Sequence, residues 1–395
     1  MFFNLEKELL HQDIQAFIDK NLKGNIHNLV LKGIPFDKAL HQKIIEQIES
    51  RAKSEKKLPT WFRTTQIYYP KKLSVEQTSS EITAAYKASL VNGDKLLDVT
   101  GGFGVDTYYF SKKISNVTHC EIDVELSAIA THNFKVLKAT NIKCLNENGI
   151  DALKRIDEAF EWIYVDPSRR NSEKKKVFLL SDCTPNVKTF QGLFLKYASN
   201  VLIKTSPLLD IKLTLTQLKF VKVIHVVAVN NEVKELLWVL EKEYTNIPLI
   251  KTVNFEKNQI QKFDFKLEDE TESSIYSAPQ DYLYEPNVAI LKAGAFESVA
   301  KKFNINKIHK HSHLYTSNQL IDFPGRQFKI KKNIPFSKKA LSKENILKAN
   351  ITTRNFPISV SDLRKKFKLK DGGDVYLFFT TDYEGKKIIL KCIKT

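Results

Sequence analysis

Residues 95–107 read KLLDVTGGFGVDT. An apolar pair, Leu96-Leu97, runs into Asp98, and Gly101-Gly102-Phe103-Gly104 come next. Such a run reads as a short buried strand. Glycines after it permit a tight turn and let backbone approach a ligand closely. Whether it opens a doubly wound sheet depends on the segments downstream. VTHCEID (117–123), IKCLN (142–146), WIYVD (162–166), NVLIKTS (200–206) and VKVIHVVAV (221–229) repeat the pattern, with helical stretches between them. Strand-helix alternation of this kind predicts a parallel, doubly wound α/β core with ligands at the carboxyl ends of its strands.

Upstream, FFNLEKELLHQDIQAFIDK and FDKALHQKIIEQIESRAKSEKK space apolar residues by three and four, which predicts helices. Gly24, Gly33 and Pro35 break the pattern between them. We read residues 1–75 as a helical N-terminal module and 76–276 as the α/β core. NFEKNQIQKFDFKLEDETESS reads as an alternating strand and an exposed loop, and YLYEPNVAILKAGAFESVAKKFNI as a turn and a helix. From residue 327 the order is strand, helix, strand, helix and a hairpin turning at Tyr383-Glu384-Gly385, which suits a small α+β domain.

The chain has 395 residues, enough for two or three domains, and 42% hydrophobic residues. No apolar run approaches the ~20 residues of a membrane helix, and acids follow the first residues at once. A cytoplasmic protein without a membrane partner is expected. Cys120, Cys144, Cys183 and Cys392 show no CxxC spacing, so they read as small core residues rather than zinc ligands. Of the net charge of +17, residues 300–395 carry +15, with 22 Lys and Arg against 7 Asp and Glu. A near-neutral body with a strongly basic C-terminal quarter points to a polyanion.

Gly102 and Gly104 follow Asp98 as D-x-x-x-G-x-G, with Thr100 and Asp106 in the same loop. The next strand ends in Glu121, where a carboxylate can accept both hydroxyls of a ribose. Position 107 is Thr, so the dinucleotide pattern G-x-G-x-x-G is not met, and no Gly-Lys-Ser/Thr P-loop occurs. This combination resembles the S-adenosylmethionine (SAM) site of class I methyltransferases. The resemblance implies that Asp98 and the glycines hold the methionine part, that Glu121 binds the ribose, and that Asn148 or Asp151 holds the adenine. It also lets Gln77 and Ser80, just before the first strand, line the pocket; Ser80 reads equally well as a helix N-cap.

WIYVDPSRR (162–170) ends the fourth strand, beside the methyl group in that fold. Asp166 and Pro167 match the start of the Asp-Pro-Pro-aromatic motif of amino-directed methyltransferases. Ser168 and Arg169 replace its second proline and its base-stacking aromatic. Arg169 and Arg170 suit phosphate or base contacts, or pairing with acids. The 5-methyluridine enzymes, with Asp-Pro-Pro-Arg, need a cysteine nucleophile; Cys183 reads as a structural thiol instead. Lys204 ends the fifth strand on the same side and is a substrate-contact candidate. His309, His311 and His313 alternate, which on a strand would place three imidazoles on one face. No Cys or acid stands with them, so RNA contact or polar surface is expected, and no metal.

Arg326, Lys329, Arg354, Arg364, Lys365, Lys366 and Lys368 are candidate RNA contacts in the basic quarter. Phe323, Phe328, Phe356 and Phe367 among them read as core rather than as stacking platforms. Taken with LSVEQTSSEITAAYK, EPNVAILKAGAF, HLYTS, FPGRQF and NFPISVSDLRKKFKLKDGGDVYLFFTT, the chain resembles bacterial SAM-dependent methyltransferases with a C-terminal THUMP-like domain. That resemblance implies a Rossmann-like class I methyltransferase core, a ferredoxin-like segment at 277–322 and a THUMP-like domain at 323–395. It implies methyl transfer from SAM to RNA, tRNA or rRNA, with Asp166, Pro167 and Arg169 at the reacting centre. The rival expectation is an RNA-binding or assembly protein with an inactive core.

Overall fold

The computed structural model describes residues 5–169, 180–271 and 274–395. It divides into two compact units, residues 1–221 with 238–245, and residues 222–237 with 246–395.

The first unit opens with four helices, α1 (Gln12–Asn21), α2 (Ile26–Lys32), α3 (His41–Lys57) and α4 (Pro59–Arg63). Two details depart from the periodicity. His11 is extended and separates a 3₁₀ turn at Lys7–Leu10 from α1. The expected break contains α2, because the Asn25 side chain accepts the Asn28 N–H and caps a helix there. Ile44 and Ile48 of α3, one turn apart, pack into a core with Leu58 and Trp61.

Two short helices, α5 (Lys72–Gln77) and α6 (Glu81–Ala88), lead into the sheet. Its elements are β1 (Lys95–Asp98), α7 (Val105–Phe110), β2 (Asn116–Cys120), α8 (Val124–Val136), β3 (Ile142–Leu145), α9 (Gly149–Ile156) and β4 (Phe160–Val165). A two-stranded ribbon of β5 (Ser168–Arg169) and β6 (Cys183–Thr184) comes next, then α10 (Val187–Tyr197), β7 (Ala198–Thr205) and α11 (Ile211–Leu215). After β8 (Val221–Val229), β9 (Glu232–Glu241) returns its last residues to this unit. The strand order is β9-β7-β4-β1-β2-β3. The β7–β4, β4–β1, β1–β2 and β2–β3 pairs are parallel. The chain leaves β1 in one direction and later crosses to β4 on its other side. That reversal opens a crevice at the carboxyl ends of β1 and β4.

In the second unit β8 and the first residues of β9 sit beside β10 (Leu249–Phe255) and β11 (Ile260–Lys266) in the order β11-β10-β8-β9. Beyond them is a seven-stranded sheet with order β13-β14-β12-β15-β18-β17-β16. Its strands are β12 (Tyr282–Pro286), β13 (Asn306–Lys307), β14 (Tyr315–Ser317), β15 (Gly325–Pro335), β16 (Asn350–Thr353), β17 (Val375–Thr381) and β18 (Lys387–Lys394). YLYEP is therefore a strand and not a turn: Leu283 and Tyr284 are buried between β14 and β15. The helices are α12 (Val288–Ala293), α13 (Phe296–Phe303), α14 (Lys338–Ser342) and α15 (Val360–Phe367). Phe323 and Phe328 are buried, and Phe356 and Phe367 pack partly buried on Phe379, so these rings belong to the core. Among the described residues no helix is long and apolar enough to cross a membrane.

Candidate cofactor site

At the carboxyl ends of β1 to β4 lies a cavity of about 680 Å³ lined by residues of the first unit alone. Its floor is the turn after β1. The Gly101 N–H bonds the Cys120 carbonyl at 2.8 Å, and a Cβ on Gly101 would stand 2.3 Å from Nε2 of the buried His119 ring. Only glycine fits there. Gly102 adopts φ +58° and turns its N–H onto the Glu121 carboxylate at 2.8 Å. The second Glu121 oxygen accepts the Asp123 N–H at 2.8 Å. Each oxygen keeps a lone pair, so the carboxylate is held in place and can still accept two hydroxyls.

Asp98 is buried at the end of β1. It accepts the Thr107 hydroxyl at 2.6 Å and the Thr100 N–H at 3.0 Å. Burial pushes its carboxyl up to about 7, helped by the neighbouring charges of Asp106 and Asp166 and opposed by the two hydrogen bonds. A bound cation would therefore find an acid ready to ionise beside it.

Asp106 is buried too and shifts the other way. Burial opposes its charge, but Lys87 first, then Lys204 and the hydroxyls of Tyr164 and Ser79, hold it below the usual carboxylate range. Both hydroxyls donate to it at 2.8 Å, and the fully buried Lys87 ammonium stands 3.3 Å away. Sequence reasoning missed Lys87. Its signal was a lysine falling on the helical face of Thr83, Ala84 and Ala88, all buried.

Asp166 closes the cavity on the far side of β1. Its N–H donates to the Thr100 hydroxyl at 2.7 Å, and its carboxylate accepts the Lys204 ammonium. Thr205, next in β7, accepts the Trp238 indole N–H at 2.9 Å, which fixes that strand end. The 70% exposed Ile122 and the buried Ile150 add apolar walls that sequence reasoning also missed.

The structure brings Gln77, Asp98, Thr100, Gly102, Asp106, Glu121, Asn148 and Asp166 to the lining. It places four expected residues elsewhere. Ser80 caps α6 by accepting the Thr83 N–H. Gly104 turns the chain into α7 at φ +83°, packed on Phe134. Asp151 is exposed on α9, while Asn148 lines the cavity and caps that helix. Pro167 is half-buried beyond the lining, though Ser168 belongs to it. The Arg169 backbone pairs with Cys183 in the ribbon. Arg170 lies outside the described residues.

In the second unit, three expected RNA contacts are already engaged in ion pairs. Arg326 and Arg354 both bond the buried Glu285, the first at 2.6 Å from Nε and the second at 2.9 Å, because a carboxylate in a core strand needs compensation. Arg364 pairs with Asp371. Lys329, Lys365, Lys366 and Lys368 are exposed. The histidines at 309–313 lie in a loop, not on a strand face. His309 Nδ1 accepts the His311 N–H at 3.0 Å, and His313 stacks on Phe296 with ring centroids 3.7 Å apart.

A candidate methyltransferase from Porphyromonas gingivalis W83, known by crystal structure, is 33% identical over 100% of both chains and superposes with a TM-score of 0.89. The chain belongs to the THUMP-like class I methyltransferase family. A ferredoxin-like domain model matches residues 282–324 of this family member, and a model described as THUMP domain-like matches residues 325–394. An rRNA methylase from Streptococcus thermophilus covers 41% of the chain and 94% of its own at 12% identity and a TM-score of 0.30. A Streptococcus mutans protein solved with SAH covers 41% of the chain and 96% of its own at 13% identity and 0.31. Likeness at that level bears on neither activity nor substrate. No curated protein matches the chain.

Proposed function

We propose that the chain is a SAM-dependent methyltransferase acting on RNA, tRNA or rRNA. The observation that carries the reading is the row of Asp98, Gly102, Glu121 and Asn148 along one side of the cavity, with Asp166 on the other. The residues fit SAM. The fixed Glu121 carboxylate suits the ribose hydroxyls, Ile122 and Ile150 suit the faces of a planar base, and Asp98 suits a cationic amine. When bound, SAM supplies a methyl group on a positively charged sulfur.

This chain's residues then position and deprotonate. Asp166, held by Thr100 and Lys204, orients the acceptor and takes its proton. The exposed lysines of α15 supply salt-sensitive attraction for a phosphate backbone, consistent with a THUMP-like domain. The test is transfer of tritiated methyl from SAM to total RNA from a strain lacking the gene. Label is expected in RNA, and Asp166→Asn should slow its incorporation by about 10²–10⁴-fold. RNA that binds but takes no label would instead indicate an assembly protein.

A further inference from the structure

Lys204 has a role that rests on the methyl-transfer reading and goes beyond it. β4 and β7 run parallel with Tyr164 opposite Leu202 and Val165 opposite Ile203. The next two residues in that register are Asp166 and Lys204. The sheet itself therefore builds their ion pair. Both line the cavity, and their side chains are 33% and 14% exposed. The pair is fixed from behind, through the Asp166 N–H on Thr100 and through Thr205 on Trp238. An ammonium is thus held beside the carboxylate that would meet the methyl acceptor. Lys204 also acts on Asp106, whose carboxyl is held down by Lys87 first and by Lys204 next, against burial.

The two main acceptor classes respond oppositely to that ammonium. A neutral nitrogen attacking a methyl sulfonium gains positive charge as its bond forms. A neighbouring ammonium opposes this, and the carboxylate alone would serve better. A hydroxyl loses its proton as its oxygen takes the methyl, so negative charge develops on oxygen. An ammonium stabilises that charge while a carboxylate receives the proton. We propose that the acceptor is a hydroxyl, in RNA the ribose 2′-hydroxyl, and that Lys204 and Asp166 act on it as a unit. The O–H bond breaks with its proton passing to Asp166. The new O–CH₃ bond forms from the oxygen's electron pair, and the S–CH₃ bond breaks with its pair remaining on sulfur.

Three measurements test this on the full chain. Alkali cleaves RNA next to every free 2′-hydroxyl, so labelled RNA is digested with alkali and its products separated. Label in alkali-resistant dinucleotides is expected; label in mononucleotides would put the methyl on a base and overturn the hydroxyl assignment while leaving RNA methylation intact. No label in RNA, from protein that binds SAM, would overturn both. Second, Lys204→Met should lower transfer about 100-fold or more, and Lys204→Arg should recover at least about a tenth of the wild-type rate. Equal rates in all three proteins would remove Lys204 from the chemistry. Third, calorimetry compares SAM with S-adenosylhomocysteine, whose sulfur is neutral. Without the ammonium, Asp166 faces the sulfonium alone, so Lys204→Met should raise the preference for SAM by about fivefold. An unchanged preference would place the pair away from the sulfur and overturn its role.

Discussion

Charge is handled differently at the cavity of the first unit and on the helices of the second. Around the cavity, Lys87 faces Asp106, Lys204 meets Asp166, and Glu121 is clamped by two backbone N–H groups. These groups are buried or half-buried, and each fixes another. At the end of α15 and just past it, Lys365, Lys366 and Lys368 are exposed, and among the described residues none has an ion pair with an acid. Paired, desolvated charges hold one geometry and suit a small ligand. Exposed like charges act additively, at a distance and through salt. The first arrangement should fail at single residues and the second only by degrees.

Glycines make the sharpest version of that contrast. A Cβ on Gly149 would stand 2.3 Å from the Val99 carbonyl oxygen, backbone that cannot move aside. Gly149→Ala should therefore lower the unfolding midpoint severely, at a cost above about 3 kcal/mol. Gly385, in the β17–β18 turn, has nothing within 4 Å of such a Cβ but sits at φ +83°. Its replacement by Ala should cost only the about 1–2 kcal/mol of a left-handed conformation. Similar losses from both would erase the difference in rigidity.

On the basic face, Lys365→Gln, Lys366→Gln and Lys368→Gln combined should weaken RNA binding and flatten its salt dependence. The slope of log K against log salt should fall by about 0.7 for each single-strand phosphate that a lysine no longer neutralises. Thermal stability should change by less than about 0.5 kcal/mol, since these side chains are exposed. An unchanged slope would move the RNA-binding face elsewhere.

The smallest effect is a pH dependence at the cavity. Asp98, pushed up to about 7 by burial, is largely protonated at pH 6 and largely ionised at pH 8. A cationic ligand prefers the ionised form, so SAM affinity should rise with pH through 7, by up to about tenfold between those limits. Asp98→Asn should abolish the trend. An affinity that falls with pH would contradict the assignment of Asp98 to the cationic end.

Much of this was legible in the chain. The glycine turn, Asp98 and Glu121 could be found because close backbone approach and strand ends leave local marks in sequence. Tyr164 could not, because its role depends on which side chains the crossing from β1 to β4 brings together, and Lys87 left only the mark of a lysine on a buried helical face. The ion pairs of Arg326 and Arg354 were hidden for the same reason. Glu285, some forty residues before Arg326, reads as one acid in a turn until β12 and β15 pair and bury it against two guanidinium groups. The histidine triplet misled through its spacing, since alternation signals a shared face only in a strand.

Whether the cavity is a SAM site decides every other assignment, and calorimetric titration of SAM into the wild type and Glu121→Ala answers it. One molecule per chain should bind the wild type. The substitution should weaken binding about 100-fold or more, because two hydrogen bonds to a fixed carboxylate disappear. No binding to the wild type, or equal affinity in both, would contradict the assignment.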